Sequence, residues 1–582
     1  MLVEALVDRL KAQLNTIYGG IIEEQEQLDW LQRFLVTMGL SQDQMPPEAH
    51  RNIWSEKDIA LITYGDSILS EGSAPLQVLG SFLSGYLKSV ISWVHILPFH
   101  PWTSDDGFAV MDYSSVNEAL GDWCDITSLS QSYKVMADVV LNHCSSRSAW
   151  FENFRQGLHP GADYFYVPEQ DFDTSKVVRP RTSPLLVPVE TSSGERSVWC
   201  TFSADQVDFD FRNPAVLNEF LGIIRQQLDA GVRVFRLDAV AFVWKASGTT
   251  CVNQSQTHAI VRLLRTMIEC AAPEAVLITE TNLPNRENLS YFGNANQAHA
   301  VYNFSLPPLL LDCLLSGNSR YLSQWMMSMP PAQDGTTYFN FIASHDGIGL
   351  RPAEGLLSEA EIERLIDTMA SFGGLVSYRE TDGDRKPYEI NIALRDALMG
   401  TYEGVDDLGI QRFLCAHAVM LGLEGIPAFY IHSLIGTRND HERVNHTGRN
   451  RSINRHQWGL DKLEQVLQDE DSEHATVLRK LSSLIALRQR QPAFHPNATQ
   501  FTLRLATELF GFWRQSQDRR QSIFCVYNVS SAPQTLPLAE LNLILTDEWY
   551  DLISGTRLSD ASAEMTLSPY QVLWISNQYL GF

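Results

Sequence analysis

Basic side chains are scarce in this 582-residue chain. Its 44 lysines and arginines face 69 aspartates and glutamates, which gives a formal net charge of −25 at pH 7. A field of that sign opposes general binding to nucleic acids or anionic membranes. It also means that an anionic ligand must be held by local arginines or lysines, because the long-range field repels it.

Two further features are absent from the sequence. The eight cysteines are scattered, with no CxxC pair and no spacing typical of a metal site, so we expect reduced thiols. No apolar run approaches the ~18 residues that a membrane helix needs, and no signal-peptide pattern is seen. The sequence therefore predicts a cytoplasmic protein without a membrane or nucleic-acid partner.

Eight short apolar runs follow one another along the chain, most of them separated by amphipathic or mixed segments. Strands that alternate with helices pair in parallel, and eight such units predict an α/β fold, a (β/α)8 barrel of the TIM type. The runs are "DIALITYGD" (58–66), "SVISWVHILPF" (89–99), "KVMADVVLNH" (134–143), "GVRVFRLDAV" (231–240), "AVLITETN" (275–282), "AVYNF" (300–304), "YFNFIASHD" (338–346) and "GIPAFYI" (425–431).

Two connections, which follow the third and seventh predicted strands, are too long for plain barrel loops. Loops of such length form inserted subdomains or active-site lids. Near the end of the chain, "SIFCVYNVS" and "YQVLWIS" predict strands of a small antiparallel β domain. The predicted division is a helical extension at 1–55, a catalytic barrel at 56–143 and 231–494, inserted subdomains at 144–230 and 347–410, and the β domain at 495–582.

Polar side chains stand at the ends of four predicted strands. They are Asn142, His143, Arg236, Asp238, Glu280, His345 and Asp346. Because catalytic groups lie at the carboxyl ends of barrel strands, three carboxylates are expected to meet at one mouth. A buried ion pair explains Arg236 with Asp238, but it does not explain three converging carboxylates, each of which makes the next harder to ionise. Such a set suits glycosyl transfer by a nucleophile, an acid/base and a stabilising carboxylate.

The stretches "DVVLNH", "FRLDA", "ITET" and "ASHD" occur in this order. Together they resemble the four conserved regions of the α-amylase superfamily, glycoside hydrolase family 13. The resemblance implies three catalytic carboxylates, namely the nucleophile Asp238, the general acid/base Glu280 and the transition-state stabiliser Asp346. It also implies that Arg236 orients Asp238 and keeps it ionised, and that His143 and His345 hydrogen-bond the glucosyl ring.

A closer resemblance covers residues 55–490. The stretches "LITYGDSI", "HILPFHPWTSDDGFAVMDY", "RPR", "SHDGIG" and "NRSINR" look like the sucrose phosphorylase subfamily. Its members are glycosyltransferases that move glucose from an α-glucoside to inorganic phosphate through a covalent β-glucosyl intermediate. The resemblance implies small-molecule substrates, α-glucose 1-phosphate as product, no metal and no cofactor. It places Asp105, Phe108, Gln206 and Arg451 at the glucosyl group, and Arg181 and Tyr388 at phosphate.

The predicted acceptor loop, "DGDRKPYEIN", departs from sucrose phosphorylase. Lys386 and Glu389 stand where that enzyme has an aspartate and a glutamine, and Arg385 is adjacent. Phe242 replaces a tyrosine after the nucleophile, and Asn282 replaces a histidine after the acid/base. A lysine beside an arginine suits an acceptor that carries a carboxylate. The pattern resembles the glucosylglycerate phosphorylases most, so D-glycerate is the predicted acceptor.

Other interpretations stay open at the level of the sequence. Sucrose, sucrose 6′-phosphate or glucosylglycerol phosphorylase would keep the chemistry and change the acceptor, and "DRK" would then be a solvated loop tip. An α-glucosidase or transglucosidase would keep the carboxylates without a phosphate site, and "RPR" would be a solvated turn. A non-catalytic amylase-like binding subunit would typically lose one of the three carboxylates. The oligomeric state is also open, with a homodimer among the alternatives.

Overall fold

The computed structural model describes residues 2–40, 47–381, 384–544, 546–560 and 562–580. Its centre is a closed barrel of eight parallel strands, in which each strand pairs with the next barrel strand along the chain and the last pairs with the first. The strands are β1 (Ala60–Thr63), β2 (Trp93–Ile96), β3 (Lys134–Val140), β4 (Val232–Asp238), β5 (Val276–Thr279), β6 (Ala300–Tyr302), β7 (Thr337–Phe341) and β8 (Ile426–Tyr430). They coincide with the eight predicted runs, and the (β/α)8 fold is confirmed.

Strand β4 shows why these strands appear as apolar runs in the sequence. A barrel strand is covered by helices on one side and by the barrel interior on the other, so it does not alternate with polar residues. Val234, Phe235 and Leu237 are fully buried, and the side chains of Arg236 and Asp238 are buried among them. A charged pair in such a strand needs partners from neighbouring strands, because an unpaired buried charge is strongly destabilising.

Helices cover the outside of the barrel. The longer ones are Pro75–Phe82, Trp123–Ser130, Pro214–Asp229, Ser255–Ala271, Leu306–Ser316, Arg320–Ser328, Gly409–Gly422 and Glu473–Arg488. Two amphipathic helices at the start of the chain, Leu2–Tyr18 and Glu24–Thr37, pack against Ser255–Ala271 and Pro214–Asp229 respectively. The first two helices therefore extend the outer helical layer and lie away from the barrel mouth.

The first long insertion follows β3. It contains two antiparallel strand pairs, His143–Ser145 with Gln206–Asp208 and Leu186–Thr191 with Gly194–Trp199. Because the insertion leaves from the carboxyl end of β3, its segments stand over the mouth of the barrel.

The second insertion follows β7 and carries a three-stranded antiparallel sheet, which we call the inserted sheet. Its strands are Ile348–Gly349, Asp384–Asn391 and Leu375–Thr381, with Asp384–Asn391 in the middle. The chain enters it through Gly347, where a Cβ would lie 2.5 Å from Asn391 Nδ2 and 2.7 Å from the Ile390 carbonyl oxygen. Glycine is therefore needed for the close approach of the segment after β7 to the middle strand.

The end of the chain forms a separate sheet. Its six antiparallel strands are Thr499–Thr502, Leu509–Gln515, Ser522–Asn528, Val572–Ser576, Tyr550–Asp551 and Thr556–Arg557. Buried Arg514 joins this sheet to the barrel, since its Nη1 donates to the Gly422 carbonyl at 2.7 Å. The predicted C-terminal antiparallel β domain is confirmed. In the part of the chain that the structure describes, every helix is too short or too polar to cross a bilayer.

Candidate active site

A cleft opens at the carboxyl ends of the barrel strands. Fifteen of the seventeen predicted site residues line it: Asp105, Phe108, His143, Arg181, Gln206, Arg236, Asp238, Phe242, Glu280, Asn282, His345, Asp346, Tyr388, Glu389 and Arg451. Lys386 is exposed and is not part of the cleft lining, and the side chain of Arg385 lies outside the described residues. Residues far apart in the sequence therefore converge as the barrel hypothesis requires.

Arg236 forms the floor of the cleft. Its Nη1 donates to Asp138 Oδ1 at 2.5 Å and to Asp238 Oδ1 at 2.7 Å. The strand register produces the first contact, because Asp138 of β3 lies opposite Arg236 of β4. Asp138 also lies 2.8 Å from His95 Nε2. The buried arginine is thus compensated from both sides, and it fixes one oxygen of Asp238.

Glu280 lies directly beside Asp238, at the end of the neighbouring strand β5. Burial raises the pKa of both carboxyl groups, against the lowering effect of Arg236. Asp238 has a 2.7 Å bond from Arg236, whereas Glu280 Oε1 is 4.0 Å from that guanidinium and Glu280 Oε2 accepts from the Ala239 N–H at 3.3 Å. Since the better hydrogen-bonded carboxylate keeps its charge, we infer that the pair holds its proton on Glu280.

Asp346, the third carboxylate, has cationic neighbours. Arg451 Nη1 lies 2.6 Å from Asp346 Oδ1, and Arg451 also binds both oxygens of Glu389, at 2.8 and 2.9 Å. Burial alone would raise the pKa of Asp346, but the guanidiniums of Arg451 and Arg455 outweigh it and lower this pKa. Asp346 is therefore held as a negative charge in the cleft, where it also contributes to the raised pKa of Glu280.

A strained turn positions Asp105. Both Asp105 and Asp106 have left-handed backbone conformations, with φ of 55° and 49°, which non-glycine residues rarely adopt. Ion pairs from Asp106 to Arg449, at 2.7 Å, and to Arg455 hold the turn. Gln206 Nε2 donates to Asp105 Oδ2 at 3.2 Å. These contacts fix the Asp105 carboxylate at the cleft wall, and among the described residues Asp105 makes no ion pair of its own.

Two neutral histidines border the same region. His143 Nε2 lies 3.1 Å from both the Phe108 carbonyl oxygen and Gln206 Nε2. His345 stacks on the Phe108 ring with centroids 5.4 Å apart, and its Nδ1 has no hydrogen-bond partner among the described residues. Burial lowers the pKa of His143 and, together with Arg455, that of His345. Neutral imidazoles of this kind suit hydrogen bonds to sugar hydroxyls.

Arg181 and Tyr388 approach the cleft from the two insertions. The Arg181 guanidinium carbon lies 5.5 Å from the centre of the Tyr388 ring. Within the described part of the chain, Arg181 makes no ion pair, although its charge contributes to the lowered pKa values of Asp346 and Glu389. A half-buried arginine without a carboxylate partner is available to an anion in the cleft.

Several residues that line the cleft or contact its lining were missed by sequence reasoning. Asp138 begins the stretch "DVVLNH", and Arg455 ends "NRSINR", so both stood inside motifs whose other members were assigned. Arg351 and Arg379 also line the cleft. Arg351 follows "SHDGIG" by two positions, and an arginine next to a catalytic motif in so acidic a chain was the available signal. Arg379 had no such signal, because its position depends on the inserted sheet.

The lysine and arginine side chains of the described cleft lining are all arginines, and they stand beside five carboxylates. Nowhere among the described residues do three or more histidine, cysteine, aspartate or glutamate side chains form a group that could hold a metal ion. The eight cysteines are free thiols, and all but Cys124 are buried.

Comparison with known proteins first defines the class. The family described as alpha amylase, catalytic domain, matches residues 85–346, and the amylosucrase C-terminal domain family matches residues 520–576. The crystal structure of sucrose 6F-phosphate phosphorylase from Thermoanaerobacter thermosaccharolyticum superposes with a TM-score of 0.71, at 24% identity, over 88% of this chain and 98% of that one. The α-amylase from H. orenii superposes with a TM-score of 0.65, at 17% identity, over 90% and 99%. The fold is that of the α-amylase superfamily.

Curated relatives then define the particular family. The glucosylglycerate phosphorylase of Allomeiothermus silvanus is 42% identical over 91% of this chain and 93% of its own length. That of Escherichia coli (strain K12) is 40% identical over 97% of this chain and 98% of its own. The sucrose phosphorylase of Agrobacterium vitis is 28% identical over 76% of this chain and 89% of its own. This chain belongs to the glucosylglycerate phosphorylase family.

Proposed function

We propose that this protein is a retaining glycoside phosphorylase that transfers an α-glucosyl group between D-glycerate and inorganic phosphate. The observation that carries the proposal is the pairing of Asp238 and Glu280 in one cleft with Arg181, which makes no ion pair within the described residues. A hydrolase needs only the carboxylates, whereas a phosphorylase also needs a cation for phosphate. The relatives at 40–42% identity support glycerate as the acceptor.

In the first step Asp238 attacks the anomeric carbon of the glucosyl group. The glycosidic C–O bond breaks with its electron pair on the glycerate oxygen, and the proton of Glu280 moves to that oxygen. The products are glycerate, a β-glucosyl ester of Asp238 and an ionised Glu280. Arg236 keeps Asp238 charged and oriented before the attack, and the fixed negative charge of Asp346 stabilises the positive character of the distorted sugar.

In the second step a phosphate oxygen attacks the same carbon from the opposite face. The ester bond to Asp238 breaks, its electron pair returns to the carboxylate, and Glu280 recovers a proton from the incoming phosphate or from solvent. Two inversions give net retention, so the product is α-glucose 1-phosphate. The Arg181 guanidinium holds phosphate against the negative field of the chain, and Tyr388 with Phe242 limits the access of water to the ester.

The other cleft residues are proposed to bind the glucosyl group. We propose that Asp105 and Arg451 bind hydroxyls through charge-assisted hydrogen bonds, while Phe108 packs on the sugar ring. His143 and His345 supply neutral hydrogen bonds, and Gln206 supports both Asp105 and His143. We propose that Arg385 and Lys386 belong to the loop that borders the acceptor.

We also propose that the protein acts in the cytoplasm on free small molecules, which its free thiols support. The domain division 1–55, 56–143 with 231–494, 144–230, 347–410 and 495–582 is kept as a proposal. The two strand pairs after β3 and the inserted sheet after β7 support the placing of its two insertions.

The decisive experiment measures release of α-glucose 1-phosphate from 2-O-α-glucosyl-glycerate, sucrose, sucrose 6′-phosphate and glucosylglycerol, with and without phosphate. We expect phosphate-dependent release, fastest from the glycerate compound. Release of free glucose at the same rate with and without phosphate would identify an α-glucosidase instead. Faster release from another of the four compounds would keep the phosphorylase and replace the acceptor.

A further inference from the structure

The acceptor must lie beside Glu280, because this residue protonates the leaving oxygen. Asn282 follows two positions later and lines the cleft, and its Oδ1 is buried without a hydrogen-bond partner among the described residues. The segment around Gly349 packs against it, since a Cβ on Gly349 would lie 3.3 Å from Asn282 Nδ2 and 3.8 Å from Pro352 Cδ. Gly349 and Arg351 line the cleft, so this segment forms the wall of the cleft next to Asn282.

Arg351 lies in this wall, and the backbone around it is anchored. It begins the short helical turn Arg351–Ala353, and the preceding N–H, of Leu350, donates to the Tyr388 carbonyl at 3.0 Å. Gly349 pairs with Glu389 in the inserted sheet. Leu350 is buried, while the Arg351 side chain is half-buried and lines the cleft. The backbone that carries the Arg351 guanidinium is therefore held in place at the cleft.

Three of the other cleft arginines are already neutralised. Arg236 binds Asp138 and Asp238, Arg451 binds Asp346 and Glu389, and Arg379 binds Glu354 at 2.7 Å. Arg351, like Arg181, has no ion-pair partner in the described part of the chain. Arg181 lies against Tyr388, and its charge acts on Asp346 and Glu389, whereas Arg351 belongs to the wall next to Asn282. Arg179 also lines the cleft and makes no ion pair among the described residues, but its side chain is exposed and donates to the Ser183 carbonyl. Arg181 and Arg351 are therefore the two half-buried arginines of the lining that have no ion-pair partner in that part of the chain, and they occupy different positions.

We propose that Arg351 binds the carboxylate of the acceptor, a small 2-hydroxy acid, and that Asn282 Oδ1 accepts a hydrogen bond from a second acceptor hydroxyl. This assignment rests on the proposed function. In a 2-O-glucosylated hydroxy acid the carboxylate carbon is two bonds from the leaving oxygen, so its cation must stand close to Glu280. Arg351 belongs to the segment that packs against Asn282, two positions after Glu280, and Arg181 is left for phosphate. Lys386 is exposed outside the cleft lining.

The test uses α-glucosyl fluoride as donor, without phosphate, and compares transfer to D-glycerate with transfer to glycerol. We expect the wild type to prefer glycerate, and Arg351→Ala to lower the glycerate-to-glycerol ratio of kcat/KM by about ten-fold or more. Arg351→Lys keeps the charge without the bidentate fork, so its ratio should fall between the two. Arg504→Ala, at an exposed site in the loop between the first two strands of the C-terminal sheet, is the matched control and should keep the wild-type ratio.

Each contrary result has a distinct meaning. A wild type without glycerate preference would overturn the proposed function. A wild type with that preference, together with an unchanged ratio in Arg351→Ala, would overturn the assignment of Arg351 alone. If Lys386→Ala lowers the ratio and Arg351→Ala does not, the carboxylate is bound by the acceptor loop. If Arg351→Ala fails to fold, Arg351→Lys and Arg351→Gln carry the test, and an unchanged ratio in both would overturn the assignment.

Discussion

The two sides of the cleft differ in how their charges are used. On the proposed glucosyl side, Arg236 and Arg451 each bind two carboxylates. On the acceptor side, Arg181 and Arg351 have no ion-pair partner among the described residues, and Asn282 has an unsatisfied oxygen. The first side is compensated within the protein, and the second is left for ligands to complete.

The difference follows from what each side must bind. The glucosyl group is the same in both half-reactions, so its subsite can be built on strand ends and fixed by internal ion pairs. The acceptor position must take glycerate in one half-reaction and phosphate in the other, and both are anions. Cations that are already paired would resist them, because each anion would have to displace a carboxylate. The inserted segments therefore carry the available cations.

The largest expected effect is at the centre of the compensated side. Asp238→Asn should reduce both phosphorolysis and transfer by at least about 10⁴-fold, because an amide cannot form the glycosyl ester. The measurement is the initial rate of α-glucose 1-phosphate formation. Asp547→Asn, an exposed exchange of the same chemistry, should keep the wild-type rate. Full activity in purified Asp238→Asn would exclude the double displacement.

Glu280→Gln should slow a substrate with a poor leaving group much more than a substrate with a good one. Loss of the acid should cost about 10²–10⁴-fold with the glucosylglycerate compound, and much less with glucosyl fluoride, whose leaving group needs no proton. Since burial raises the pKa of Glu280, the wild type should lose kcat/KM for the glycerate compound only as pH rises through that raised value. The fluoride should lack this basic limb. If both donors lose kcat/KM over the same pH range, a group other than Glu280 causes the loss.

The residues of the proposed glucosyl side could largely be predicted from the sequence, and those of the proposed acceptor side only in part, since Arg181 and Asn282 were predicted and Arg351 was not. Asp238, Glu280 and Asp346 follow barrel strands, and a strand end fixes where a side chain lies once the fold is known. Asp138 was the exception on that side, since only the register of β3 with β4 shows that it meets Arg236. The position of Arg351 depends on how the inserted sheet packs on Asn282, which local patterns do not encode. The position of Arg379 likewise depends on the inserted sheet.

Arg181→Ala should weaken the use of phosphate more than the use of glycerate. A charge-assisted hydrogen bond contributes roughly 1.5–3 kcal/mol, so KM for phosphate should rise by about ten-fold or more. Transfer from glucosyl fluoride to glycerate should change by less. The measurement compares the change in KM for phosphate with the change in glycerate transfer, both determined on one protein preparation. Equal losses for phosphate and glycerate would show that the two anions share a single cation, and the division between Arg181 and Arg351 would be wrong.

Glu389→Gln should give the smallest effect, and it tests how far the two sides are independent. Glu389 belongs to the inserted sheet but binds Arg451 of the glucosyl side through both oxygens. Because Asp346 also holds Arg451, at 2.6 Å, the amide should leave that arginine in place and weaken its orientation only. We expect a rise in KM for the glucosyl donor of about three- to ten-fold, the size of an ordinary hydrogen bond, because the amide keeps one acceptor oxygen for Arg451. The ratio of glycerate to glycerol transfer should stay within about two-fold of wild type, because Arg351 is held through Leu350 and Gly349 rather than through the carboxylate of Glu389. A change in that ratio larger than the change in donor KM would mean that the ion pair itself shapes the acceptor side, and the two regions would then have to be treated as one coupled site.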